Sequence, residues 1–151
     1  MDIFQQVHLA MNSVGPLGGF YIVNEYAQER VWHIAVDTTT ELIAELAEPR
    51  DSLVLSFPLG KPVNPSAIYE LALKYADMWD LNEGSRLGLD AEGSLTLISE
   101  TNASTLTAEM LAAIIAAATE RAQAWKRIIS GEAKTSDETL SVMSSGSYIQ
   151  I

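Results

Sequence analysis

Apolar positions along the chain change period several times, and each change marks an element. Over residues 2–13, Ile3, Phe4, Val7, Ala10 and Met11 recur at helical spacing and predict an amphipathic opening helix, with Leu9 off the stripe. Gly15-Pro16-Leu17-Gly18-Gly19 then predicts a firm stop. FYIVNEY from Phe20 and RVWHIAV from Arg30 are rich in β-branched and aromatic residues. Joined by Ala27-Gln28-Glu29, they predict an antiparallel pair of strands. Residues 38–51 admit two readings: TELIAELAE favours helix by propensity, yet a strand extension and loop also fits. LVLSFPLG predicts a strand that stops at Pro58 and Gly60.

Pro65 suits the first turn of a second helix running to about Leu81, with Ile68, Leu71, Ala72, Tyr75 and Trp79 on one stripe, Met78 beside it, and Gly84 as terminator. RLGLD and SLTLISE then alternate as strands around the turn Ala91-Glu92-Gly93. The last element is the longest. Thr107 is placed to cap it, and Leu111, Ile114, Ile115, Ala118, Ala122, Trp125 and Ile129 keep the spacing of a buried helical face. Glu109 near its start and Lys126 and Arg127 near its end suit the helix dipole. The expected order is α-β-β-β-α-β-β-α. That is an α+β class with an antiparallel sheet packed with helices. One domain over residues 1–130 is expected, followed by a flexible Ser/Thr/Glu-rich tail over 131–151 that ends in the more apolar SYIQI.

Composition narrows the functions open to such a domain. The 151 residues carry 20 acidic and 9 basic side chains, a net charge of −11. A field of that sign repels phosphate backbones and anionic lipid, so neither nucleic acid nor membrane is an expected partner, and it favours a basic or amphipathic protein. With no cysteine, disulfides, thiolate nucleophiles and thiolate zinc sites are all excluded. The opening MDIFQQVHLAMNSVG lacks the basic cluster of a secretion signal. The apolar run from Leu111 to Ala118 is far shorter than the roughly 20 residues a membrane span needs. A cytoplasmic protein is expected.

Catalytic templates find little to match. His8 and His33 stand in no metal-binding motif. Asp77, Asp80, Asn82 and Glu83 cluster near the end of the second helix, but counting from Asp80 a calcium loop fails: Ser85 stands at the sixth position and Ala91 at the twelfth. Asp90 and Glu92 flank a turn, where acidic residues serve turn chemistry. No phosphate-cradling glycine loop or nucleophile elbow is present. A non-enzyme with no cofactor and no metal is expected. What the chain has in surplus is apolar strand surface: Phe20, Ile22, Trp32, Ile34 and Val36 alternate with Tyr21, Val23 and Val31, so both sheet faces carry apolar side chains. In the second helix, Ile68, Leu71, Tyr75 and Trp79 form either a core stripe or a dimer seam.

The stretch ALKYADMWDLNEGSRLGLDAEGSLTLISETNASTLTAEML, with the element order, size and acidity, resembles the class I chaperones of bacterial type III secretion, the family that includes the Tir chaperone. The resemblance covers about residues 1–130 and is one of pattern. It implies a secretion-chaperone-like fold and a homodimer without nucleotide that binds the N-terminal segment of a secreted effector and keeps it secretion-competent. It maps effector binding to Phe20, Ile22, Trp32, Ile34 and Val36, and the dimer interface to Ile68, Leu71, Tyr75 and Trp79. A regulatory adaptor or other protein-binding module on the same fold is the nearest alternative. An enzyme using carboxylates of Asp77, Asp80 or Asp90 is a more distant one.

Overall fold

A computed structural model describes residues 2–20, 22–78 and 84–132. The elements are α1 (Ile3–Gly18), β1 (Ile22–Tyr26), β2 (Val31–Ala35), β3 (Glu41–Ala47), a 3₁₀ turn (Glu48–Arg50), β4 (Ser52–Gly60), α2 (Pro65–Asp77), β5 (Ser85–Leu89), β6 (Leu95–Asn102) and α3 (Ala108–Ile129). The strands hydrogen-bond in the order β1-β2-β3-β4-β6-β5. Two compact units share these elements: residues 1–56 with 100–119, and 57–99 with the residues from 120. Trp79 to Glu83, and the expected tail from residue 133 on, lie outside the described residues.

The order carries one strand more than expected, because the ambiguous segment 38–51 forms β3. Its sequence alternates strictly: Leu42, Ala44 and Leu46 are buried, while Glu41, Ile43 and Glu45 face outward. Alanine, leucine and glutamate favour helix, but strand pairing on both sides outweighs that preference. On the inner face Ile34 pairs with Leu42, Trp32 with Ala44, Ala44 with Leu55 and Leu46 with Leu53. Pro49, in the 3₁₀ turn, closes the segment.

Two expected stops are also passed. The opening helix runs through Gly15 and Pro16 to Gly18. Within a helix, proline forfeits its own N–H bond, here the one to the Asn12 carbonyl, and burial of Met11 and Val14 holds the helix through that gap. The helix ends one turn later at Gly19, whose φ of 69° is left-handed, and the Phe20 N–H donates to the Gly15 carbonyl at 2.9 Å. Likewise β4 continues through Pro58, which is exposed. The pairing register with β3 reaches only Ser56, so no ladder donor is required of Pro58 on that side.

Within the first unit, α1 contributes Val7, Ala10, Met11 and Val14 to the core and α3 contributes Leu111, Ile115 and Ala118. Within the second, Tyr75 meets Trp125 edge-on at 5.2 Å between ring centroids, among Ile68, Leu71, Leu97 and Ile129. Caps and turns follow the sequence closely. Thr107 Oγ1 accepts from the Met110 N–H, and Asp90 Oδ1 accepts from the N–H groups of Glu92 and Ser94 at 2.9 and 2.8 Å. Asp37 organises the link from β2 to β3 in the same way, accepting from the Thr39 and Thr40 N–H groups, each at 2.8 Å.

Two expectations follow. Trp125→Ala should lower stability by about 3–5 kcal/mol, read from the urea midpoint, because it empties a fully buried aromatic site. The Thr39 backbone N–H foremost, then its hydroxyl, holds the Asp37 carboxyl below the usual carboxylate range. Its contribution to stability is therefore present above the ordinary carboxylate pKa and lost as pH falls through the depressed one. In an NMR pH titration Asp37 should titrate low, and Thr39→Ala should move it part of the way back.

Candidate functional site

The first unit holds a cavity of about 540 Å³ where the end of α1 passes β1. Met11, Asn12, Gly15 and Pro16 form the helix side, and Gly19 and Phe20 the link. Ile22, Val23, Glu25 and Trp32 form the hairpin side. Each wall has a local cause. At Gly15 the helix faces Val23 of the hairpin, and a Cβ there would sit in ordinary contact with Val23 Cγ2, at 3.8 Å. Gly18 receives the Phe20 ring, which folds back so closely that a Cβ at residue 18 would lie 2.6 Å from it. The mouth is exposed at Pro16, Gly19 and Ile22, the last 47% exposed.

Trp32 is fully buried, and everything around it serves that burial. Phe4 of α1 stacks on its ring with centroids 5.8 Å apart, and His8 stacks on Phe4 at 6.0 Å. Arg30 lies 5.0 Å from the Phe4 centroid while its guanidinium bonds the Glu48 carboxylate. The Trp32 indole N–H donates to Glu25 Oε1 at 2.7 Å. The same oxygen sits 2.7 Å from His8 Nδ1, and Asn12 Nδ2 lies 3.3 Å from His8 Nε2. One tautomer satisfies both histidine contacts, with Nδ1–H donating to Glu25 and Nε2 accepting from Asn12. Asn12, His8, Glu25 and Trp32 thus form a continuous polar chain from α1 to the hairpin.

Among the described residues, strand β1 hydrogen-bonds to β2 alone and forms one edge of the sheet. Its register puts Val23 and Glu25 opposite Ile34 and Trp32 on the cavity face, and Ile22, Asn24 and Tyr26 on the other. That other face carries apolar side chains too: Ile22, Tyr26 and Ile43 are exposed around His33, whose ring lies 4.8 Å from that of Tyr26.

The residues assigned to effector binding do not form one surface. Phe20, Ile22 and Trp32 meet at the cavity. Ile34 is core, and Val36 is half-buried just beyond β2, its N–H donating to the Thr40 carbonyl. Ile68, Leu71 and Tyr75 of the proposed dimer seam are buried inside the chain itself, so the stripe is a core stripe, and a seam on this helix must use its other flank. There Leu73 is 75% exposed. Trp79 lies outside the described residues. Of the carboxylates weighed for catalysis, Asp77 is exposed at the end of α2, Asp80 is outside the described residues, and Asp90 bonds its own turn. Among the described residues no group of three His, Asp or Glu is placed to hold a metal ion, and no helix is long and apolar enough to cross a membrane.

The α1 wall and Glu25 were not foreseen. The glycine-proline segment read as a terminator rather than a wall, and Glu25 faces inward only because the hairpin register puts it opposite Trp32.

Among the described residues, helices packed on an antiparallel sheet, with a cavity beside an edge strand, make an α+β domain. The chain belongs to the Tir chaperone protein (CesT) family, whose profile matches residues 25–126, and is accordingly a class I chaperone of type III secretion. Solved structures share the fold. A chain of the ExsC–ExsE complex is 18% identical over 88% of this chain and 100% of that one, with a TM-score of 0.73. A chain of the HopA1–SchA chaperone–effector complex is 18% identical over 84% and 98%, with a TM-score of 0.65. The Yersinia pestis type III secretion chaperone SycH, in complex with a stable fragment of YscM2, gives a match 16% identical over 76% and 95%, with a TM-score of 0.61. No curated protein sequence matches the chain.

The Trp32–Glu25 bond makes a double-mutant cycle informative. Glu25→Ala leaves a buried indole N–H unpaired and should cost about 1–3 kcal/mol in urea unfolding. In a Trp32→Phe background the same change should cost distinctly less. Additive effects would mean that the bond contributes nothing.

Proposed function

We propose that this chain is a cytosolic type III secretion chaperone that works as a homodimer, takes the N-terminal segment of an effector in extended form, and keeps it competent for export. The observation that carries this reading is the cavity lying beside β1, a strand that among the described residues is paired on one side only. A strand edge offers backbone hydrogen bonds to any extended sequence, while a neighbouring cavity selects among side chains. Phe20 and Ile22 at the mouth are the contacts proposed for the effector, with the buried Trp32 supporting them from the floor. Ile34 and Val36 support them from the same strand pair. Ordering an unfolded chain costs entropy, so the contact has to be long and apolar, and a segment that rounds the β1 edge also meets the exposed Ile22, Tyr26 and Ile43 on the other face. The HopA1–SchA complex is itself a chaperone–effector complex on this fold.

For the dimer we propose the exposed flank of α2 around Leu73, with Ile68, Leu71 and Tyr75 holding that helix in place from behind. Light scattering should give a mass near twice 16.4 kDa, and Leu73→Glu should shift it toward one chain without changing the circular dichroism spectrum. N-terminal fragments of the type III substrates encoded in the same genome, titrated one by one, should include at least one binder. Ile22→Asp and Phe20→Asp should each weaken that binder about tenfold or more. A set of fragments that all fail to bind would remove the chaperone reading. Binding unaffected by both substitutions would move the site elsewhere.

A further inference from the structure

The cavity that the proposed effector segment would enter carries one formal charge, the Glu25 carboxylate, among lining residues that are otherwise apolar, glycine or amide. This carboxylate is fixed in place. Its Oε1 takes the donors of both Trp32 and His8 at 2.7 Å, while Oε2 takes no hydrogen bond among the described residues. A carboxylate offers about four acceptor positions, so the clasp leaves Oε2 open at the cavity wall, where the Glu25 side chain is partly exposed. Trp32 alone does not require this arrangement, since one neutral acceptor would satisfy one indole N–H. No lysine or arginine lines the cavity to answer the charge, and the net −11 of the chain adds to the negative potential there.

We infer that the segment bound in this cavity presents a lysine or arginine whose aliphatic stem packs along Phe20 and Ile22 at the mouth and whose cationic head binds Glu25. The inference rests on the reading of the cavity as an effector subsite and adds its selectivity. Lysine and arginine are the side chains that combine an apolar stem with a charged donor, which matches a cavity whose apolar residues stand beside a single carboxylate. Charge complementarity of this kind discriminates among sequences more than it adds raw affinity. An acidic residue at the same position is repelled, and a purely aliphatic one makes no use of Oε2.

Glu25→Gln separates this role from the structural one, because the Gln carbonyl oxygen still accepts from Trp32 and His8 while the charge is gone. The probes are hexylammonium, 1-hexanol and hexanoate, titrated into the full-length protein and followed by the NMR shifts of the Ile22 and Val23 methyl groups. We expect hexylammonium to bind about tenfold tighter than hexanol, with hexanoate weakest, and the preference to vanish in Glu25→Gln. Equal affinities, a preference that survives Glu25→Gln, or no shift with any probe would each overturn the inference. So would methyl shifts that depend on protein concentration without probe, since the occupant would then be a second copy of the chain. If the Glu25-dependent preference holds but no substrate fragment binds, the cavity chemistry stands and the chaperone reading fails. If fragments bind through Phe20 and Ile22 without regard to lysine or arginine, the reverse is true.

Discussion

Burying Trp32 is the constraint on which the first unit depends. An indole is wide and carries one donor, so it needs both a flat apolar cover and an acceptor. The cover comes from Phe4 near the start of α1, and the acceptor from Glu25 on the neighbouring strand. Supplying the acceptor from β1 turns a carboxylate inward, and that carboxylate then engages His8 and ties the helix to the hairpin. One buried side chain therefore fixes how α1 lies on β1 and β2, and the cavity is the space left where α1 runs past the hairpin.

Three carboxylates serve turns and clasps: Asp90 and Asp37 bind backbone N–H groups, and Glu25 binds Trp32 and His8. The first unit carries the cavity and the open strand edge. The second has a tightly filled core around Tyr75 and Trp125 and shows exposed Leu73, Val63 and Leu89 outside it. Exposed apolar area, a strand edge and a net negative charge suit a member of a chaperone family.

Much of the fold was legible because its signals are local. Pro65 at the first turn of α2, Thr107 before α3 and the alternation in β5 and β6 are readable residue by residue, and each stands where expected. β3 was not, because alanine, leucine and glutamate favour helix and only pairing partners distant in sequence settle the choice. The site was legible in part for a similar reason. Phe20, Ile22 and Trp32 are conspicuous apolar residues, but Ile34 is no less so, and only the inner-face pairing with Leu42 assigns it to the core. Burial likewise decided between the two readings of the α2 stripe. Periodicity shows that Ile68, Leu71 and Tyr75 share a face but not what covers it.

The cavity owes one wall to the last turns of α1 and the short link after it, not to the sheet. Residues 15 to 20 supply no rung between β1 and β4, yet they are not equally free: the Phe20 ring fills the space at Gly18, and Gly19 is held by its left-handed backbone. A change of bulk at Pro16 or Phe20 therefore reshapes the pocket while the strand pairing stays intact, whereas one at Gly18 or Gly19 displaces the link itself.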